Sequence, residues 1–366
     1  MPTGQWRKLQ RLSWIVSGLA ENTNSLTANS GSLISATSGG FNITPGAAHT
    51  LIITTQPGGG TGGTAWSTQP VLTVEDAEGN TVTNSSASVK LAITGGTGTS
   101  GAALACTTNP LAASEGVVTF AGCAINLAGT GYTVKATSSG LTAAVSSAFN
   151  VTVGPATQLN ITTNTGGGKG GTAWTTQPVV MVQDAGGNTV TTSSASITLA
   201  IGNNPSGGTL TCTANPVTAI AGVATFAGCE INLVGTGYTL TANSGGLTGD
   251  TNNPSFNITV GAATQLAFTT QPSGGSAGMP WTTQPVVAVE DAGGNTVTSS
   301  ANAITLTITS GTGTSGANLT CTTNPLAASA GVASFAGCEV NLSGAGYTLT
   351  ATHTSLTSAI SSGFND

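Results

Sequence analysis

The residues able to do chemistry are few. Two histidines, His49 and His353, six cysteines and twelve carboxylates are spread over 366 residues. A Ser-His-Asp or Cys-His relay needs an imidazole within reach of its nucleophile, and the two histidines fall at non-equivalent places of a repeated sequence. Glycoside hydrolysis needs two carboxylates across one cleft. The carboxylates that recur are Asp76, Asp184 and Asp291, each opening an Asp-Ala-(Glu/Gly)-Gly-Asn string, and Glu230 with Glu339. Turn chemistry accounts for the aspartate: its side chain can bond its own backbone, while Gly and Asn tolerate positive φ. Calcium takes six to eight oxygens. Glu75 with Asp76 and Glu290 with Asp291 offer carboxylate pairs, but Gln183 stands before Asp184. Zinc takes four closely spaced nitrogen or sulfur ligands, which two histidines do not complete. The glycine runs 58–63 and 166–171 lack the Gly-Lys-Ser/Thr of a phosphate loop. An isopeptide cross-link would need the same lysine in each copy, yet Lys90 is matched by Thr198 and Thr305. The sequence predicts no catalytic residue, no metal and no cofactor.

The cysteines form Cys106/Cys123, Cys212/Cys229 and Cys321/Cys338, each pair 17 residues apart. Six cysteines allow fifteen pairings. Each pair lies inside one copy of a repeat, and copies that fold alike should each close their own. Such a loop contributes about 3 kcal/mol by constraining the unfolded chain. Disulfides imply an oxidising setting, extracellular or at the cell surface.

The elements that carry these residues repeat. Three copies run 46–153, 154–260 and 261–366. Each has Trp-(Ser/Thr)-Thr-Gln-Pro at Trp66, Trp174 or Trp281, then the Asp-Ala string, then Phe-Ala-Gly-Cys ending at Cys123, Cys229 or Cys338, then Gly-Tyr-Thr at Tyr132, Tyr238 or Tyr347. A partial copy, the terminal strands only, occupies 19–45: Leu26-Thr-Ala-Asn-Ser matches the string from Leu240, and Phe41-Asn-Ile-Thr the string from Phe256. Residues 1–18 are a leader or non-repeat segment, with Arg7, Lys8 and Arg11 before a short apolar stretch, as in a weak secretory signal. Within a copy the period is two. Ile304, Leu306 and Ile308 alternate with threonines, as do Ile197, Leu199 and Ile201. This is the pattern of half-buried strands. Strand-sized runs between Gly, Asn, Ser and Pro clusters predict an all-β chain of tandem sandwiches.

Composition excludes other classes. Charged residues make up 5% of the chain, net charge is −6, and past Arg11 the only basic residues are Lys90, Lys135 and Lys169. Nucleic acid needs clustered Lys and Arg. No apolar run reaches the 18 residues that suggest a membrane helix. So nucleic acid and membrane insertion are both excluded as expectations.

Taken together, the Thr-Gln-Leu, Thr-Gln-Pro, Val-Glu-Asp-Ala-Gly-Gly-Asn-Thr-Val, Gly-Tyr-Thr-Leu-Thr-Ala and Phe-Asn-Ile-Thr strings resemble bacterial Ig-like repeats. These are the invasin-like and filamin-like modules of cell-surface and extracellular fibre proteins. The resemblance covers 46–366 and, weakly, 19–45. It implies immunoglobulin-like domains arranged end to end as a rod. Tyr132, Tyr238 and Tyr347 resemble the tyrosine corner of such sandwiches.

Two sets of residues carry binding expectations. Trp66, Trp174 and Trp281 are candidates to stack on sugar rings, against the alternative of packing in a core or between domains. Sequons stand at Asn42, Asn84, Asn150, Asn160, Asn257, Asn318 and Asn341, and Asn42, Asn150 and Asn257 share one repeat position. Attached glycan would help so uncharged a surface stay in solution. The leading expectation is a structural unit of an extracellular fibre, stalk or surface protein. A sharper version has the strand near 41–44 donated to the C-terminal copy of a neighbouring molecule, around 360–366, propagating head to tail. Partners are then other copies of the chain, other surface-protein domains, or glycans. The alternatives are an adhesin or carbohydrate-binding module, and a non-catalytic part of a larger secreted enzyme.

Overall fold

The computed structural model describes residues 24–29 and 34–366; the leader expected at 1–18 and the start of the partial copy lie outside them. Every regular element among the described residues is a strand. In copy one, Thr50–Thr55, Val71–Glu75 and Val117–Thr119 form a three-stranded antiparallel sheet with Val71–Glu75 in the middle. A second sheet has the order Ala144–Val145, Val134–Thr137, Ser88–Ile93, Leu111–Ala112. A third group places Phe149–Thr152 between Gly129–Tyr132, antiparallel, and Gly60–Thr61, parallel.

The sheets face one another because alternation gives each an apolar side. Leu72 and Val74 of the first, Val89, Leu91, Val134 and Ala136 of the second, and Phe149 and Val151 of the third meet in one core with Trp66 and Tyr132. The intervening residues Ser88, Lys90, Lys135 and Thr137 are exposed. Copy two repeats this arrangement around Trp174, Tyr238 and Phe256, and copy three around Trp281, Tyr347 and Phe364. In copy three the strand Leu356–Ile360 is longer than its two-residue equivalents Ala144–Val145 and Asp250–Thr251, and it links both halves into a seven-stranded sheet.

The chain divides into two compact units, Met1–Pro155 with Asp184–Asn188, and Ala156–Gln183 with Thr189–Asp366. The first unit therefore holds copy one and the Asp-Ala loop of copy two. Ahead of copy one, Thr27–Ala28 pairs with Ala36–Thr37 as a hairpin, and Asn24 bridges to Phe41.

Candidate functional site

Two groups of residues recur at identical geometry: a clamp at the centre of each copy and a joint built on the Asp-Ala loop. The clamp explains the Trp-x-x-Gln-Pro string. Gln69 donates from Nε2 to the carbonyls of Trp66 (2.7 Å) and Cys123 (3.2 Å), and its Oε1 accepts from the Cys123 N–H (2.8 Å). Gln177 serves Trp174 and Cys229 in the same way, and Gln284 serves Trp281 and Cys338. The clamped cysteine closes the disulfide. Cys106–Cys123, Cys212–Cys229 and Cys321–Cys338 have S–S distances of 2.03, 2.07 and 2.08 Å.

The structure removes the tryptophans from the sugar-stacking candidates. Trp66, Trp174 and Trp281 are 3%, 4% and 3% exposed. Their rings meet Phe149, Phe256 and Phe364 edge-on at 5.0, 5.4 and 4.9 Å, leaving no face to offer a ligand. Burial of apolar area outweighs the indole polar group: the Nε1 atoms of Trp66 and Trp174 are buried without a partner, while that of Trp281 donates to Asp366 (2.8 Å). The tyrosines are buried as well. Their hydroxyls donate to the carbonyls of Leu127, Leu233 and Leu342, five residues upstream.

Sequence reasoning missed a third recurring device, although its signal was present as Asn-Pro strings at 109–110, 215–216 and 324–325. Asn109 accepts from the Leu91 N–H and donates to the Leu91 carbonyl, so its amide stands in for a neighbouring strand. Asn215 does this for Leu199 and Asn324 for Leu306.

The joint is clearest in the second unit. Asp291 gathers donors from its own turn: the Gly293 and Asn295 N–H groups reach Oδ1 at 2.9 Å each, and the Asn295 side chain reaches both oxygens. Oδ2 also accepts from Gly261 N–H, the first residue of copy three (2.8 Å). The turn so held points Asn295 at copy two. Its Nδ2 donates to the Asn232 carbonyl (2.7 Å) and its Oδ1 accepts from Val234 N–H (2.9 Å). The first unit contains the matching set: Asn188 donates to the Asn126 carbonyl (2.8 Å) and accepts from Ala128 N–H (2.8 Å), and Asp184 accepts from Gly154 N–H (2.8 Å).

These carboxylates therefore face a ring of N–H donors, the electrostatic opposite of a cation cage. In copy one the same donors hold the Asp76 carboxyl down to about 2 from an ordinary 3.8. The Asn80 side chain is the main cause, and the Asn80, Gly46 and Glu78 N–H groups outweigh the opposing effect of burial. Glu290 moves the other way. Burial raises its pKa, against a bond from Gln265, and the adjacent Asp291 charge adds to the rise.

His353 Nδ1 lies 3.3 Å from Ser355 Oγ on an exposed turn, and among the described residues no carboxylate bonds the ring. A recess of about 450 Å³ between 42–45 and 80–83 is lined by Asn, Thr, Ile and Pro alone. Among the sequons, Asn42, Asn84, Asn150, Asn257, Asn318 and Asn341 are exposed and Asn160 half-buried. Asn150 and Asn257 accept through Oδ1 from the Gly131 and Gly237 N–H groups at a bulge in the strand pairing. Asn365 does the same for Gly346, so in all three copies the amide at this repeat position serves the backbone.

No protein-family model matches the chain, and no curated protein matches it. Solved structures similar to it include the Escherichia coli adhesin FdeC, at 18% identity over 87% of this chain and 99% of that one, with a TM-score of 0.27. Invasin, described as a bacterial integrin-binding protein, is 16% identical over 86% of this chain and 60% of its own, with a TM-score of 0.25. Domains 1–6 of the surface layer protein SbsC are 14% identical over 90% of this chain and 42% of their own, with a TM-score of 0.22. The chain itself is all-β among its described residues, with the sheets of each copy packed around a core of its own.

Proposed function

We propose that this chain is a structural, non-catalytic section of an extracellular or cell-surface protein, in which each copy, 46–153, 154–260 and 261–366, is one domain. The observation that carries this reading is the joint between copies two and three. Copy two ends its last strand at Thr259 and the Asp291 loop holds Gly261, so no flexible linker intervenes, and the Asn295 amide closes both sides of the contact. Residues recurring at fixed geometry serve packing, clamping and joining. Cystines in every copy support work in an oxidising medium outside the cell.

Stretching single molecules by their ends tests this. Three separate unfolding events are expected, one per copy. Reduction should lengthen each by about 60 Å, because it frees a 17-residue loop at about 3.5 Å per residue. One concerted event, or turnover of any substrate by the pure chain, would defeat the proposal.

The assembly version, in which 41–44 enters copy three of a neighbouring molecule, requires Phe364 to leave its place against Trp281 and Tyr347. Sedimentation as a strict monomer removes that version and leaves the rest standing. An adhesive role would now rest on exposed sequon or threonine surfaces, not on the tryptophans.

A further inference from the structure

We infer that the glycine joint is confined to three consecutive copies, because both outer faces carry a side chain where the joint requires glycine. The inference rests on the reading of the Asp-Ala loop as a connector. The contact is made where backbones meet. A Cβ at Gly170 would overlap the Asn295 amide and stand 2.6 Å from the Asn232 carbonyl oxygen and 2.9 Å from Asp291 Oδ2. A Cβ at Gly293, across the contact, would overlap that same carbonyl and stand 2.8 Å from the Gly170 carbonyl carbon and the Gly171 nitrogen. In the first unit Gly62 and Gly186 meet the same obstacles. A Cβ at Gly62 stands 2.6 Å from the Asn126 oxygen, and one at Gly186 stands 2.7 Å from the Gly62 carbonyl carbon. Carbon atoms do not sit this close to backbone, so the loop or the acceptor carbonyl would have to move.

Four residues before its tryptophan, copy three has Ala277 where copies one and two have Gly62 and Gly170. In the loop of copy one, Glu78 stands where copies two and three have Gly186 and Gly293. A further Asp-Ala loop would meet a methyl group at 277, and the loop of copy one presents a side chain to any complete copy before it. Whatever else the polypeptide carries, a fourth copy or a second molecule does not add through this contact.

The test moves the outer-face residues into the inner joint of the full chain, as Gly170→Ala and, separately, Gly293→Glu. Amide exchange is read at Val234, whose N–H bonds Asn295, with Cys229 and Cys338 as core controls. Each variant should speed exchange at Val234 by about fivefold or more, the loss of one neutral hydrogen bond, with the core unchanged. If either variant leaves Val234 as protected as in the parent, that residue is compatible with the joint and the inference falls. Should Gly293→Glu disturb the core, Gly293→Ala replaces it with the same criterion. Asn295→Ala separates the two levels. If removing that side chain leaves Val234 unchanged, the connector reading itself fails, whatever the glycines do.

Discussion

Replacing Gln177 by Ala in copy two alone isolates the contribution of the central clamp, with copies one and three as internal controls. The side chain supplies the acceptor for Cys229 N–H at 2.8 Å and the donor to the Trp174 carbonyl at 2.6 Å. Cys229 is fully buried, so its N–H gains no water in exchange. The Cys229 carbonyl keeps the Trp174 N–H at 3.0 Å, so one buried donor and one carbonyl are orphaned, not the whole segment. A buried donor without a partner costs about 1–3 kcal/mol. That rivals the ~3 kcal/mol of the disulfide closed by the same cysteine. Native-state exchange at the Cys229 amide should therefore quicken about 5- to 150-fold relative to Cys123 and Cys338. The midpoint of copy-two unfolding in urea should fall with it. Equal protection at the three cysteines after the substitution would refute the argument, since the clamp would then add nothing beyond packing.

Other perturbations follow from the same geometry. Asp76, with its folded value near 2 against an ordinary 3.8, contributes stability that is fully present above about pH 4 and is lost as pH falls toward 2. Asp76→Asn should flatten the acid limb of the unfolding profile over that window, and an unchanged slope would count against the donor ring. Gly98→Ala places a Cβ 2.5 Å or less from the Tyr132 ring at a backbone φ of +67°. It should destabilise copy one by about 1–3 kcal/mol through overpacking, seen as a lower thermal midpoint and altered aromatic circular dichroism. Tyr347→Phe removes only the bond to the Leu342 carbonyl and should cost about 1 kcal/mol. A loss as large as that of Tyr347→Ala would mean the hydroxyl, and not the ring, dominates.

Much of the fold could be read from period and punctuation. Alternation at Ile304, Leu306 and Ile308 placed a half-buried strand, because side chains of a pleated strand point to opposite faces. The pairing of Cys212 with Cys229 was readable because the repeat singled out the local pair. The tryptophans left two readings open, and burial chose between them only once Phe256 was seen against Trp174. The clamp and the joint were hidden for a different reason. Gln69 meets Cys123 across 54 positions and Asn295 meets Asn232 across 63, and no local pattern encodes such distances. The recurrence of Asn42, Asn150 and Asn257 suggested a sugar acceptor; in two of them the amide oxygen is occupied by a backbone N–H, a demand the tripeptide rule does not see.

The chemistry of the Asn295 contact also decides in which waters it can hold. Amide bonds carbonyl and N–H across the gap, and the one carboxylate among these groups, Asp291, is taken up by N–H donors of its own loop and of Gly261. Ion pairs weaken as the Debye length shrinks from about 10 Å at 0.1 M to about 3 Å at 1 M; neutral pairs do not. A connection made by neutral groups should therefore keep its spacing from dilute medium to brine.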